Sequence, residues 1–235
     1  MKKIALITGA NRGIGFEIAR QLGKQGITIL LGCRDITRAE TAAAILQKEH
    51  IDVQAIELDV TNHEQILAVV KKIEAEYGRL DILVNNAGTF LDHLGNDLDV
   101  MRQSFEVNVF GPYALSEALL PLLKASPEGR IVNQSSILGS LGTIKSNPFY
   151  AKISAPAYTS SKAALNAITA QLSIRLEGTQ VKVNACHPGW VKTDMGGEYA
   201  TMEIQEGAET AVRLATLPKE GPTGGFYHKG DALPW

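Results

Sequence analysis

The sequence predicts a single α/β domain with a doubly wound parallel sheet and helices on both faces. The chain has 235 residues, 45% of them apolar, which fits one large domain with a full core. Short apolar runs alternate with longer stretches that carry apolar residues at helical spacing, starting with residues 4–7, 16–24 and 27–32. A glycine-rich segment separates the first run from the first helical pattern. Such a strand, turn, helix and strand order is typical of parallel sheets.

The composition argues against several classes of partner. Net charge is −2 and the basic residues are scattered, so the sequence has no footprint for nucleic acid or an acidic membrane. No apolar run approaches the ~20 residues that span a bilayer. Cys33 and Cys186 have neither disulfide density nor metal-ligand spacing, which predicts reduced thiols, no metal site and a cytoplasmic protein. We expect the partner to be a small molecule.

Residues 8–15, Thr-Gly-Ala-Asn-Arg-Gly-Ile-Gly, follow the first apolar run. A glycine turn here would let the backbone approach a pyrophosphate, and the N-terminus of the next helix would attract its charge. This predicts a Rossmann-type dinucleotide site, although the spacing Gly-x-x-x-Gly-x-Gly differs from the commonest fingerprint and a structural loop is the alternative. The residues predicted to hold the dinucleotide are Gly9, Asn11, Arg12, Gly13, Ile14 and Gly15.

The rest of the chain continues the alternation. Strands are predicted at residues 53–58, 80–84, 130–136, 181–185 and 223–227, and helices at 37–49, 66–77, 98–123 and 163–176. Thr37 is a candidate N-cap, with Glu40 closing a capping box. Residues 137–157 have glycines and prolines but no firm periodicity.

Three side chains form a candidate proton-transfer group. Tyr158 and Lys162 are four residues apart, so on a helix they share one face beside Ser136, which ends a predicted strand. A nearby ammonium favours phenolate and lowers the pKa of a tyrosine toward the working range. The phenol could then give its proton to a carbonyl oxygen while Ser136 hydrogen-bonds the developing oxyanion.

These motifs together resemble the short-chain dehydrogenase/reductase family, most closely its NADPH-dependent carbonyl reductases. They occur in family order over nearly the whole chain: residues 8–15, the Asn-Asn-Ala-Gly of residues 85–88, Asn108, Ser136, Tyr158, Lys162 and the Cys-His-Pro-Gly-Trp stretch that begins at residue 186. The resemblance implies an oxidoreductase that moves a hydride between NADP and a carbonyl or alcohol. A 3-oxoacyl-thioester reductase and a non-catalytic NADPH-binding regulator are the alternatives.

The resemblance also implies which residues bind the cofactor. Cys33 stands where NAD-dependent members carry an acid, whereas Arg12 and Arg34 stand where NADP-dependent members carry basic residues. Arg34 could instead be a solvated charge, and Asp35 leaves the preference partly open. Asp59 corresponds to the residue that accepts from the adenine amine, or else it caps the helix that begins near His63. The further cofactor residues implied are Val60, Asn86, Ala87, Gly88, Tyr158, Lys162, Pro188, Gly189, Val191 and Thr193, with the Lys162 ammonium holding the nicotinamide ribose.

Other expectations concern the proton relay, substrate and assembly. In the family an Asn at the place of Asn108 kinks its helix and holds a water that relays protons to the lysine; an Asn that caps a helix break is the alternative. His187 is predicted to be structural. Substrate-binding segments are expected at residues 138–157 and 190–206, with substrate selection also at residues 91–94 and a mobile lid at 196–206. A moderately apolar ketone or aldehyde is the expected substrate. The 22 positions from Ser136 to Tyr158 favour a monomer or dimer.

Overall fold

Eight strands form one sheet in the part of the chain that the structure, a computed structural model, describes: residues 2–95 and 97–235. The strands are β1 (Ile4–Thr8), β2 (Thr28–Cys33), β3 (Val53–Glu57), β4 (Ile82–Asn85), β5 (Arg130–Gln134), β6 (Lys182–Cys186), β7 (Phe226–His228) and β8 (Asp231–Ala232). Their order is β3-β2-β1-β4-β5-β6-β7-β8. The first seven are parallel and β8 pairs antiparallel to β7. The predicted doubly wound α/β sheet is confirmed.

Helices cover both faces of this sheet. They are α1 (Gly13–Lys24), α2 (Ile36–Lys48), α3 (His63–Tyr77), α4 (Leu98–Phe105), α5 (Gly111–Ala125), α6 (Leu141–Ser146), α7 (Pro156–Arg175) and α8 (Ile204–Ala215). Alternate β1 residues feed two cores: Ile7 packs with α1, α2 and α8, while Leu6 packs with α3, α5 and α7. Burial on both faces explains why the strands are continuous apolar runs.

The structure corrects several predicted boundaries. Helix α1 begins at Gly13 and α7 at Pro156, both earlier than predicted, because a helix can begin at a glycine or proline that carries no apolar periodicity. The predicted 98–123 helix is interrupted by a π-helical turn at Glu106–Phe110. Strand β8 was not predicted, since two exposed residues give no pattern.

The predicted cap at Thr37 and the alternative of a cap at Asp59 are also wrong. Asp35, and not Thr37, caps α2 by accepting from the Arg38 N–H at 3.1 Å. Asn62, and not Asp59, caps α3 by accepting from the N–H groups of the next turn at 3.0 and 3.1 Å. Several short polar side chains precede each of the two helices, and the sequence alone does not show which of them accepts the hydrogen bonds from the first N–H groups of the helix.

Candidate active site

Most of the predicted site residues gather at one end of the sheet because they follow the carboxyl ends of its strands, whereas Asn108, Tyr158 and Lys162 lie on helices. The sheet order reverses there, since β1 lies between β2 and β4. The groups are Gly9, Asn11, Arg12, Gly13, Ile14 and Gly15 after β1, Arg34 after β2, Asp59 and Val60 after β3, Asn86, Ala87 and Gly88 after β4, Ser136 after β5, and Pro188, Gly189, Val191 and Thr193 after β6.

The glycine turn packs tightly against the loop after β4. Gly9 has φ +61°, and a Cβ there would lie 2.9 Å from the Ala87 Cα. A Cβ on Gly15 would lie 2.3 Å from the Asn86 Nδ2. That amide donates to the carbonyls of Thr8 at 2.8 Å and Gly9 at 3.2 Å. Glycine is therefore required where the two loops meet.

Helix α1 begins in this turn without a capping side chain. Its N-cap residue Arg12 makes no side-chain cap bond, unlike the N-cap residues of α2, α3 and α4. The Arg12 guanidinium instead forms an ion pair with Asp194. The loop after β6 therefore faces the turn, and the Thr193 methyl lies 3.6 Å from the Cβ position of Gly13. An uncapped helix N-terminus that lines a cleft can accept an anion.

The end of β2 presents one basic side chain. Cys33 is buried, whereas Arg34 is exposed and forms no ion pair with any residue in 2–95 or 97–235. Asp35 is engaged as the cap of α2 and pairs with Arg38 at 3.2 Å. The two arginines predicted to act together therefore differ, since Arg12 already has a carboxylate partner.

Ser136, Tyr158 and Lys162 meet as the sequence predicts. The Tyr158 hydroxyl is hydrogen-bonded to the Ser136 side chain, and both residues are buried. Lys162 is 4% exposed, and its Nζ lies 5.7 Å from the centroid of the Tyr158 ring. That Nζ donates to the Gln134 carbonyl at 2.8 Å. A strand-end hydroxyl, a phenol and an ammonium thus lie together beyond the carboxyl end of β5.

The electrostatics of this group differ from the sequence-based expectation. Burial raises the pKa of Tyr158, and the hydrogen bond from Ser136 only partly opposes that shift. Burial also lowers the pKa of Lys162 to about 8. The expected lowering of the phenol pKa is therefore wrong for this structure, because the ammonium is directed at the Gln134 carbonyl and desolvation dominates.

Asn108 lies in the π turn and is fully buried. Its amide donates to the Thr89 carbonyl at 2.9 Å and to Ser161 Oγ at 3.0 Å, and its Oδ1 accepts from the Thr89 N–H at 2.8 Å. A Cβ on Gly88 would lie 3.3 Å from this Oδ1 and 3.4 Å from Lys162 Nζ. Asn108 therefore neighbours the lysine across a glycine, and the helix deviates through a π turn without ending.

His187 has a structural place beside the site. Its Nδ1 accepts from the Ile137 N–H at 3.2 Å, which fixes the turn after Ser136. Burial, with a contribution from His228, lowers the pKa of His187 to about 3, so the ring is neutral. This geometry fits the structural role predicted for it.

An aromatic and aliphatic rim borders the site. The Trp190 ring lies 6.3 Å from that of Phe149, and its Nε1 donates to the Gly196 carbonyl at 2.8 Å. Leu141, Met195 and Tyr199, from the same two segments, are exposed. Part of the predicted lid is held by regular structure, because Val191 and Met202 form a β-bridge and residues 204–206 belong to α8.

Sequence reasoning missed the roles of three contributors to the site, although residues 91–94 were expected to select the substrate. Gln134 acts through its backbone carbonyl, which leaves no residue-type signal. Phe90 packs edge-on against the Tyr158 ring, with the ring centroids 5.2 Å apart. Asp92 accepts from the first N–H groups of α7. The only signal for Asp92 in the sequence is an acidic residue soon after the Asn-Asn-Ala-Gly motif, and that signal does not show which N–H groups the carboxylate bonds to.

Comparison with known proteins identifies the family. The family model for short chain dehydrogenases matches residues 3–204. The chain belongs to the short-chain dehydrogenase family. Over its whole length it is 35% identical to mouse carbonyl reductase [NADPH] 1, covering 99% of that protein. It is 33% identical to (+)-neomenthol dehydrogenase of Arabidopsis thaliana, over 97% of this chain and 96% of that one.

Solved structures of the family have the same fold. An NADPH-bound carbonyl reductase from chicken fatty liver superposes with a TM-score of 0.87 at 29% identity, covering 100% of this chain and 99% of that one. Carbonyl reductase Sniffer of D. melanogaster gives 0.84 at 31% identity, with both chains fully covered. Within the described residues, no helix is long and apolar enough to cross a membrane, and no His, Cys, Asp or Glu cluster could hold a metal.

Proposed function

We propose that this chain is an NADPH-dependent carbonyl reductase that transfers a hydride between the nicotinamide and a carbonyl or alcohol. The observation that carries the proposal is the group of Ser136, Tyr158 and Lys162 at the same sheet edge as the uncapped start of α1. Proton donor, oxygen-binding hydroxyl and dinucleotide cradle thus lie together. The carbonyl reductases among its relatives support this class of reaction.

The residues of the cradle fit a phosphorylated dinucleotide. The first N–H groups of α1 have no capping side chain and suit the pyrophosphate, while Gly9 and Gly15 let the turn pack against the loop after β4. Exposed Arg34 suits the 2′-phosphate. Arg12 can bind the same phosphate if its guanidinium leaves the ion pair with Asp194. Asp59, Val60 and the 86–88 loop would border the adenosine half, and the loop after β6 the nicotinamide carboxamide. NADPH supplies the hydride when it is bound there.

The proposed chemistry of this chain is proton transfer to one oxygen. In reduction, the Tyr158 hydroxyl gives its proton to the substrate oxygen, and Ser136 hydrogen-bonds the same oxygen as charge develops on it. The Lys162 ammonium would hold the ribose hydroxyls of a bound cofactor, next to the Gln134 carbonyl that it already contacts. With a pKa of about 8, Lys162 is mostly protonated at neutral pH. The hydrogen bonds of Asn108 to Thr89 and to Ser161 on α7 hold the π turn next to the lysine.

The rim favours an apolar substrate. Phe149 and Trp190 form one aromatic wall, and exposed Leu141 and Met195 extend the apolar surface along residues 138–157 and 190–206. We therefore assign a moderately apolar ketone or aldehyde, held by contact with the rim and oriented by its single polar oxygen.

The proposal is tested by NADPH consumption across aromatic ketones, quinones, aldehydes, short hydroxy acids and 3-oxoacyl thioesters. We expect turnover of the apolar carbonyls with little activity on small charged ones. Preferred turnover of a 3-oxoacyl thioester would identify the competing reductase activity. Tight NADPH binding without turnover of any carbonyl would contradict the proposal and favour a regulator.

Assembly and compartment complete the proposal. Both cysteines are buried free thiols, which fits the reducing cytoplasm. The 22 positions between Ser136 and Tyr158 favour a monomer or dimer. Light scattering at dilute concentration checks this, and a stable tetramer would contradict it.

A further inference from the structure

Helix α7 carries both Tyr158 and Lys162 but has no capping side chain of its own. Its N-cap residue is Ala155, and its first residue is Pro156, which has no N–H. The next two N–H groups, those of Ala157 and Tyr158, have no carbonyl within the helix to bond to.

A carboxylate from the loop after β4 takes the place of the missing cap. Asp92 Oδ1 accepts from the Ala157 N–H at 2.9 Å, and Oδ2 accepts from the Tyr158 N–H at 3.0 Å. Both oxygens are engaged, and a negative charge at a helix N-terminus is also favoured by the helix dipole. The backbone of the proposed proton donor is thus held by a side chain 66 positions earlier in the chain.

The same loop contacts the site at two further points. Phe90 packs edge-on against the Tyr158 ring. Thr89 is held by two hydrogen bonds to Asn108, whose amide also donates to Ser161 on α7. Residues 89–92 therefore connect the π turn to the first turn of α7 and contact Tyr158 through both ring and backbone.

We infer that Asp92 is a positioning residue that fixes the Tyr158 hydroxyl against Ser136, an inference that rests on the proposed function of Tyr158. Tyr158 lies in the first turn of α7, where a helix frays most easily when its cap is lost. Lys162 lies one turn further on and is separately anchored to the Gln134 carbonyl. Loss of Asp92 should therefore disturb the proton donor while leaving the lysine in place.

The test compares Asp92→Ala and Asp92→Asn with a matched control, Asp97→Ala. Asp97 is also a helix-capping aspartate, accepting from the Val100 N–H of α4 at 2.9 Å, but it does not contact Tyr158. Asp92→Ala should lower kcat by about 10- to 100-fold, because small misplacements of a reacting group are costly, while its NADPH Kd stays within twofold of wild type. The kcat of Asp92→Asn should lie between those of wild type and Asp92→Ala, because its single amide oxygen accepts from only one of the two N–H groups. Asp97→Ala should lose stability without losing kcat.

Amide hydrogen exchange at residues 157 and 158 provides a readout that needs no turnover. Protection there should fall in Asp92→Ala and remain in Asp97→Ala. Unchanged protection, or a kcat equal to that of Asp97→Ala, overturns the positioning role even if the enzyme reduces carbonyls. If wild type reduces no carbonyl, the proposed function fails, and the exchange data alone decide whether Asp92 holds the Tyr158 backbone. Should Asp92→Ala fail to fold, Asp92→Asn carries both measurements.

Discussion

The buried ammonium of Lys162 should reduce the stability of the fold by an amount that depends on pH. Lys162 is 4% exposed, and burial lowers its pKa from 10.5 to about 8. That difference corresponds to about 3 kcal/mol of destabilisation at pH 7. Below pH 8 both the folded and the unfolded chain bind the proton, so the full penalty applies. Between pH 8 and 10.5 the folded chain loses the proton first, and stability rises.

The substitution Lys162→Met isolates this effect because it keeps the length of the side chain and removes the charge. Relative to the variant, the free energy of unfolding of the wild type should increase by about 1.3 kcal/mol between pH 7 and pH 9. At pH 7 the variant gains the desolvation energy but leaves the Gln134 carbonyl without its donor, which costs about 1–3 kcal/mol. Its absolute stability at pH 7 should therefore be close to or slightly above that of wild type.

Urea unfolding at the two pH values measures the difference directly, since groups common to both proteins cancel. Lys71→Met, at an exposed position of α3, serves as the control and should follow wild type at both pH values. A wild type and Lys162→Met pair whose difference stays constant from pH 7 to pH 9 would refute the argument that the ammonium is desolvated. The variant should also lose NADPH affinity and turnover, which would show that the lysine is kept for its site and not for stability.

Three further predictions concern the cofactor. Arg34→Ala should weaken NADPH binding by about 10- to 100-fold with little effect on NADH, as expected for a lost charge-assisted phosphate contact; fluorescence titration with both cofactors measures this, and an equal loss for both would show that Arg34 is only a surface charge. In the same titration, Cys33→Asp should reduce the preference for NADPH over NADH. Asp194→Asn frees Arg12 from its ion pair and should increase the affinity for NADPH several-fold. An unchanged NADPH affinity in Asp194→Asn would mean that the Arg12–Asp194 pair does not compete with the phosphate.

The fold was predictable because its central strands carry the signal themselves. Residues 4–7 are all buried and alternate between two cores, so this part of the strand is a continuous apolar run. Gly9 and Gly15 lie where the turn contacts the loop after β4 too closely for a Cβ atom, so the residue type itself indicates the turn. The pairing of Tyr158 and Lys162 was predicted from their spacing of four residues together with the order of the family motifs along the chain.

The parts that escaped prediction depend on contacts distant in sequence or on backbone atoms. The start of α7 at Pro156 is stabilised by Asp92, and no local pattern connects the two. The Gln134 carbonyl that receives the lysine could belong to any residue type. The pKa of Tyr158 depends on how completely it is buried, which composition cannot reveal.

The central claim, that Tyr158 donates the proton, is tested most directly by single-turnover hydride transfer from bound NADPH in Tyr158→Phe. The control is Tyr77→Phe, the same substitution at the end of α3, near the opposite edge of the sheet. The account predicts that Tyr158→Phe binds NADPH within twofold of wild type but transfers hydride about 10²–10⁴-fold more slowly, while Tyr77→Phe is unaffected. Normal NADPH binding with an undiminished transfer rate in Tyr158→Phe would contradict it.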